Sequence, residues 1–382
     1  MHIPSSRQFR VVVGACVLAL LTGCSLVGGS DGGSHDDVEP VASAGATAPG
    51  APRAPGPQAA PTGSGAPTGG TAGTVTIAFG GDVHFTGRTV SRLGEGADTL
   101  GPIGKALEQA DIAMVNFESA ITERGAAEAK TYTFRAPKSA LDDLKATGVD
   151  VVSMANNHAV DFGQAGLTDS LAAADNGALP VVGFGKNAEA AYRPWTTEVN
   201  GVRVAVVAAS QVNDLTSQRY AAGATKPGIA TALTSARLVK AVRDAKAEAD
   251  VVVVYMHWGI EGDKCPSATQ KDVATDLAEA GATAVVGTHA HVMQGAGMLG
   301  DTYVGYGFGN FLWYGTSPYP NSNDTGVTTL TVTGGKVVKE AFAPALIDSR
   351  GVPVPQKAAE AKRITDRRAS LRPCTGLTAA PK

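Results

Sequence analysis

Five of the chain's seven histidines share one context: His84, His158, His257, His289 and His291 each stand just beyond a short apolar run rich in β-branched residues. Imidazole is both a common metal ligand and the side chain that changes charge near neutral pH, so a repeated placement points to metal binding or proton transfer. The neighbours extend the pattern. Asp82 and His84 are two residues apart, which in extended backbone puts both side chains on one face, where they can share a cation. Asn116-Phe117-Glu118 ends another run with a carboxylate able to bridge two metals, and Asn156-Asn157-His158 ends a third, with Asp161 three residues on. His289-Ala290-His291 repeats the same-face spacing, and glycines beside these groups permit tight turns and close approach of backbone to a ligand. Trp258, next to His257, reads as a packing residue before it reads as a stacking surface. Mixed His, Asp, Asn and Glu donors suit manganese, iron or zinc without choosing among them.

To bring such residues together the chain needs strands that end in one crevice, and past residue 73 it alternates apolar β-branched runs with helical patterns, as layered α/β proteins do. Strands are expected at 75–79, 112–115, 149–153, 202–208, 251–256 and 283–286. Helices are expected at 101–110, 138–146, 163–176, 235–247 and 269–280. The pattern then changes to antiparallel strands at 303–306, 327–332 and 337–341, the last two joined by the turn Thr333-Gly334-Gly335-Lys336. Two packed sheets flanked by helices fit this mixture better than one open sheet. In layered α/β folds the loops leaving the carboxyl ends of strands form the crevice, so the five histidines are placed to converge.

The phrases Gly81-Asp82, Asn116-Phe117-Glu118, Asn156 to Gly163, His257-Trp258-Gly259-Ile260-Glu261, Gly287 to His291 and Tyr306 to Phe311 resemble, in order, the motifs of the CapA family. These are poly-γ-glutamate capsule biosynthesis proteins, a branch of the calcineurin-like metallophosphoesterase superfamily. The resemblance implies a four-layer α/β/β/α sandwich of the metallophosphoesterase type. It also implies two divalent metal ions held by Asp82, His84, Glu118, Asn157, His257, His289 and His291, where they would activate a water and clamp a phosphoryl oxygen. His158 would then protonate the leaving group, with Asp161 orienting its ring and raising its pKa, unless the pair is only a structural hydrogen bond. Two departures stand out: Glu118 occupies the bridging position usually held by an aspartate, and His84 stands where many CapA relatives carry an apolar residue. Arg88 and Arg135 are candidate anion clamps or ordinary surface residues, and Glu261 and Asn310 candidate cleft residues or loop caps. The implied function is a metal-dependent hydrolase acting on a phosphoester or an anionic envelope polymer. The alternative is a non-catalytic, polymer-binding member of a membrane polymer-synthesis complex.

Composition sets the surroundings. With 43% hydrophobic residues and 47 glycines in 382 residues, the chain can build a full core with many tight turns. A net charge of -3 with scattered cations gives no basic stripe, which argues against a nucleic-acid partner. Arg7 and Arg10 precede an apolar run at 11–21, and Leu21-Thr22-Gly23-Cys24 resembles a lipobox, so 1–24 reads as a lipoprotein signal with Cys24 acylated. Such an anchor would hold the protein extracytoplasmically on the bacterial membrane. Residues 25–73, rich in Gly, Pro, Ala, Ser and Thr and including His35, read as a tether with an end-to-end distance of about 40 Å. The domain is expected at 74–345 and a tail at 346–382. Cys265 and Cys374 either form a bridge, clamping that tail onto the loop after His257, or remain two partly buried thiols.

Overall fold

A computed structural model of the chain describes residues 73–382; the signal segment, Cys24, His35 and the tether through residue 72 lie outside the described residues. The chain first lays down β1 (Thr74–Val83), β2 (Ile112–Phe117), β3 (Val151–Ser153) and β4 (Val181–Val182) as four parallel neighbours. It then crosses to a second sheet of β5 (Trp195–Val199), β6 (Val202–Ser210), β7 (Val251–Trp258), β8 (Ala284–His289), β9 (Ala296–Leu299) and β10 (Thr302–Gly305), ordered β9-β10-β8-β7-β6-β5. It returns to the first sheet through β11 (Asn310–Leu312), parallel to β1, and then β12 (Asp324–Thr333), β13 (Lys336–Ile347) and β14 (Pro353–Pro355), which extend that sheet antiparallel from β1.

The side-chain alternation of the strands fixes the layers. Val75, Ile77 and Phe79 of β1 face Val204, Val206, Val253 and Tyr255 in a core between the sheets. Ala78, one residue out of phase, and Val83, beyond the register shift that follows Phe79, face outward with Ala113 and Val115 onto helices. On the second sheet Val252, Val254 and Met256 do the same. A parallel strand buried on both faces reads as a continuous apolar run, and each such valine stabilises the fold by about 1.5–3 kcal/mol. Against the outer face of the first sheet pack α1 (Gly104–Glu108), α2 (Ser139–Ala146) and α3 (Gly163–Asn176). After the short α4 (Leu215–Tyr220), α5 (Ala236–Glu248) and α6 (Ala268–Glu279) cover the second sheet through Leu238, Val242, Val273 and Leu277. The order is therefore α/β/β/α. A capping box of Ser267 and Gln270 starts α6, and the apolar residues of α5 recur at helical spacing.

Several boundaries differ from the sequence reading. β7 and β8 continue through His257 and His289, because their parallel partners carry the hydrogen-bond ladder past the end of the apolar run. β5, an edge strand of alternating exposure, has no apolar run to announce it. The stretch beyond 345 packs on the sheets. β13 runs to Ile347, β14 pairs with it, α7 (Ala358–Ser370) buries Ile364, and Thr378 exchanges backbone hydrogen bonds with Met298. Cys265 and Cys374 are bridged, with Cα atoms 5.7 Å apart, so the C-terminal segment is fastened to the loop after β7. Among the described residues no helix is long and apolar enough to cross a membrane.

Candidate metal centre

The carboxyl ends of the parallel strands meet at one pole. Asp82 lies near the end of β1 and His84 just past it, Glu118 follows β2, His257 is the next-to-last residue of β7 and His289 closes β8. Asn156, Asn157 and His158 occupy the turn after β3, and His291 the turn after β8. Asp82, His84, Glu118 and His257 are wholly buried, and Asn157, His158, His289 and His291 keep 8%, 7%, 5% and 7% exposure. The aim of Asp82 depends on Gly81. The register of β1 shifts here, and a Cβ on Gly81 would sit 2.0 Å from the Gly309 carbonyl, which instead accepts the Asp82 N–H at 3.0 Å.

Glu118 is the hub. Its Oε2 lies 3.1 Å from His84 Nε2 and its Oε1 lies 3.2 Å from His257 Nε2, so the two oxygens face two different imidazoles. His257 Nε2 is also 2.7 Å from Asn157 Oδ1. Its Nδ1 is held by Asn116 Nδ2 at 3.2 Å and Thr288 Oγ1 at 3.1 Å, which sets the ring plane. Asn116 Nδ2 donates to Asp82 Oδ1 at 2.8 Å, tying the groups of β1 to those of β7. Asp82 Oδ2 accepts the His289 backbone N–H at 3.3 Å and lies 3.3 Å from His291 Nδ1. His289 and His291 adopt φ of 88° and 55°. Each costs on the order of 1–3 kcal/mol for a residue with a Cβ, strain of a kind found where geometry at a site is over-determined.

These groups leave binding capacity unused. Glu118 Oε1, His84 Nδ1 and His289 Nδ1 are buried without a hydrogen-bond partner, a state that is unfavourable unless something else meets them. Burial alone opposes the charged form of Glu118, yet His257 and His84 beside it hold the carboxyl well below its ordinary range. Burial also drives the His289 imidazole well below its ordinary value, reinforced by His257 and His291, so its ring keeps a free lone pair. At His291 burial is outweighed by Asp82, Glu118 and Glu261, and the value rises to about 9. Ligand atoms of Glu118, His289 and His291 lie within 4.8 Å of one another. A depressed carboxylate, neutral imidazole and unpartnered donors are the set a divalent cation requires, so the residues fit a metal.

Beside this set His158 Nδ1 is 2.6 Å from Asp161 Oδ2, which also accepts the Phe134 N–H at 2.8 Å. Asp161 raises the His158 pKa as expected, yet the net value is lowered. Burial lowers it and outweighs Asp161, with Lys130 acting in the same direction as burial. Lys130 is not among the residues singled out from sequence, because a single lysine in a polar loop carries no pattern. Its ammonium bonds Asp161 Oδ1 at 2.7 Å. Asn116 and Thr288, which orient His257, are likewise missed as side chains with a role.

The remaining sequence candidates divide. Asn310 is buried, with Oδ1 3.1 Å from His291 Nδ1, and so orients that ring. Glu261 is exposed, accepts from Tyr319 Oη at 2.7 Å, and is close enough to raise His291 electrostatically. Arg88 and Arg135, read as candidate anion clamps or ordinary surface residues, have partners within the chain. Arg88 donates to the Trp313 and Ser349 carbonyls at 2.9 and 3.3 Å, and Arg135 lies 4.6 Å over the Phe162 ring. Trp258 is fully buried and donates to the Tyr306 carbonyl at 2.7 Å, a packing residue as expected.

A family model described as bacterial capsule synthesis protein PGA_cap matches residues 76–314, which takes in every residue of the centre. The chain is 31% identical over 245 residues to a PGA biosynthesis protein CapA of Bacillus subtilis, covering 63% of each chain. It is 32% identical over 192 residues to a capsule biosynthesis protein CapA of Bacillus anthracis, covering 48% of this chain and 45% of that one. The chain thus spans less than two thirds of the length of either relative. Among solved structures, a hypothetical protein from Thermus thermophilus matches 70% of this chain and 98% of its own, at 20% identity and a TM-score of 0.43.

Proposed function

The chain belongs to the bacterial capsule synthesis protein family PGA_cap, and from that premise we propose that it is a cell-envelope, metal-dependent hydrolase of the CapA type, resembling the metallophosphoesterases, that acts in the making of an anionic envelope polymer such as poly-γ-glutamate. One observation carries the proposal: Glu118 presents its two oxygens to separate histidines, 3.1 Å from His84 and 3.2 Å from His257, as a carboxylate shared by two cations would. In this reading Asp82, His84, Glu118, Asn157, His257, His289 and His291 would hold the divalent ions. The ions would supply Lewis-acid stabilisation of a phosphoryl or carbonyl oxygen and a water of lowered pKa.

The chain's own groups do the rest. Burial at the pole excludes bulk water and strengthens every charge interaction there. His158 is fixed through Nδ1 by Asp161 at 2.6 Å, which leaves Nε2 as the atom that would pass a proton to the leaving group, and burial, by lowering the ring's pKa, favours release of that proton. The protein would be held at the membrane through acylated Cys24, where it meets the membrane components that extend the polymer. Loss of lipid labelling on Cys24→Ser checks that part.

The test of chemistry is an assay of the manganese-, iron- or zinc-loaded protein against a phosphodiester, a phosphomonoester and a γ-glutamyl peptide. We expect turnover of at least one, with kcat falling about 10²–10⁴-fold in His158→Ala at unchanged metal content. Full metal loading with no turnover of any of the three would replace the hydrolase reading by one of polymer binding within a synthesis complex.

A further inference from the structure

Residues 123–134 form a loop between the two strands of a small parallel ladder, Ala120–Ile121 and Arg135–Ala136, and lie against the turn after β3. It is held by contacts at both ends. Gly125 has φ of 84° and presses on the Phe162 carbonyl, where a Cβ would come to 2.2 Å. Glu128 N–H donates to the Asp161 carbonyl at 2.8 Å, and the Glu128 carboxylate binds Arg219 at 2.9 Å and the Tyr220 hydroxyl. The loop is therefore stapled to α4, whose own start is fixed by Asp214 accepting from the Thr216 and Ser217 N–H groups at 3.0 and 3.1 Å.

Lys130 sits where these three segments meet, with its side chain 12% exposed. Its ammonium donates to Asp161 Oδ1 at 2.7 Å, to the Asn157 carbonyl, and to Thr216 Oγ1 at 3.4 Å, and Asp214 Oδ2 lies 3.5 Å away. The Asn157 carbonyl also accepts the Thr216 hydroxyl at 2.5 Å. Every donor of Lys130 is thus spent inside the chain, so the residue has no N–H left for a substrate and acts through its neighbours. What it touches are the two ends of one turn. At one end is the peptide of Asn157, whose side-chain oxygen is 2.7 Å from His257; at the other is Asp161, whose second oxygen fixes His158.

We propose that Lys130 is the positioning residue of this centre, one partly buried ammonium that sets both the amide of Asn157 toward the metal and the imidazole of His158 toward the leaving group. The inference rests on the reading of Asn157 as a ligand and His158 as the acid, and it adds a residue that links them. Lysine suits the task better than arginine because a compact ammonium fans three donors from one point onto a carboxylate, a carbonyl and a hydroxyl, whereas a guanidinium presents a flat fork. Outer partners of this kind are worth about 10–100-fold in metal affinity or activity.

The experiment compares the wild-type protein with Lys130→Met, Lys130→Arg and Lys130→Ala. In metal-free protein the His158 Nδ1 proton, shared with Asp161 at 2.6 Å and assigned by its loss in His158→Ala, is read by proton NMR. It is expected to shift or broaden away in Lys130→Met at unchanged fold. Manganese affinity, measured by calorimetric titration, is expected to fall about tenfold in Lys130→Met and less in Lys130→Arg. Hydrolysis of bis(4-nitrophenyl) phosphate is expected to lose kcat with KM unchanged. Methylammonium is expected to restore part of it to Lys130→Ala, while tetramethylammonium, which has no N–H, does not. If the NMR signal and the manganese affinity of Lys130→Met both match wild type, the inference is wrong, whatever the protein hydrolyses. If wild type turns over no phosphodiester but Lys130→Met loses the signal and weakens manganese, the positioning role stands and the hydrolase reading is what fails.

Discussion

The two poles of the sheets treat charge in opposite ways. At the amino ends of the strands a hollow of about 750 Å³ is lined by Arg203, Lys246, Asp250, Asp301 and Lys336. Its ion pairs are exposed, Arg203 with Asp250 at 3.0 Å and Lys336 with Asp301 at 2.9 Å, and water meets whatever the partner does not. At the carboxyl ends Asp82, Glu118, His84 and His257 are wholly buried and three polar atoms have no partner. The same backbone carries both poles, so the fold alone does not demand the second arrangement. Buried, incompletely paired carboxylates and imidazoles are stabilised when a cation completes them, and the contrast is the physical reason to place a metal at one pole and nothing at the other.

The largest effect should come from removing a direct ligand. Asp82→Ala is expected to weaken manganese binding at least 100-fold and lower any turnover about 10³-fold, as loss of a direct ligand exceeds the 10–100-fold typical of outer partners; calorimetry and a steady-state assay check both. Cys374→Ser should lower unfolding free energy in denaturant by about 2–4 kcal/mol while leaving metal stoichiometry intact, because neither cysteine contacts the centre, although the segment between them, with a sequence separation of 109, carries His289 and His291. Chelation should lower the unfolding free energy of loaded protein by about 2.7 kcal/mol when free metal had stood at 100 Kd, and by no more than about 0.4 kcal/mol in Asp82→Ala at the same metal concentration. At the opposite pole Arg203→Ala should cost less than about 1 kcal/mol and leave metal affinity unchanged. That small term has a definite pH dependence. Asp250 is held below its ordinary 3.8 by the Arg203 side chain and backbone N–H, so the contribution is full above that value and is lost as pH falls through the lowered one. A guanidinium denaturation series from pH 6 to 3, wild type against Arg203→Ala, reads it.

Legibility followed the same division. Helix α3 coincides with the expected 163–176, and the histidines stand where the apolar runs said they would, because period and spacing are local signals. Lys130, Asn116 and Thr288 were not legible as functional side chains, since each acts through a partner tens of residues away. For Arg88 and Arg135 residue type leaves an anion clamp and an ordinary arginine both open, and type does not say that one donates to the Trp313 carbonyl and the other lies over the Phe162 ring. The His158 pKa was read from its neighbour Asp161, whereas burial, which needs the whole fold, sets its direction. The C-terminal stretch looked like a tail because its composition is polar. Its order comes from pairing with β13, one buried isoleucine and a disulfide.

The most direct test of the account is electron paramagnetic resonance of the manganese-loaded protein. The two oxygens of Glu118 facing separate histidines predict two manganese ions per chain that are magnetically coupled through the shared carboxylate, with the coupling lost in Glu118→Ala. A spectrum of single, uncoupled manganese, or the same coupled spectrum after Glu118 is removed, would contradict it.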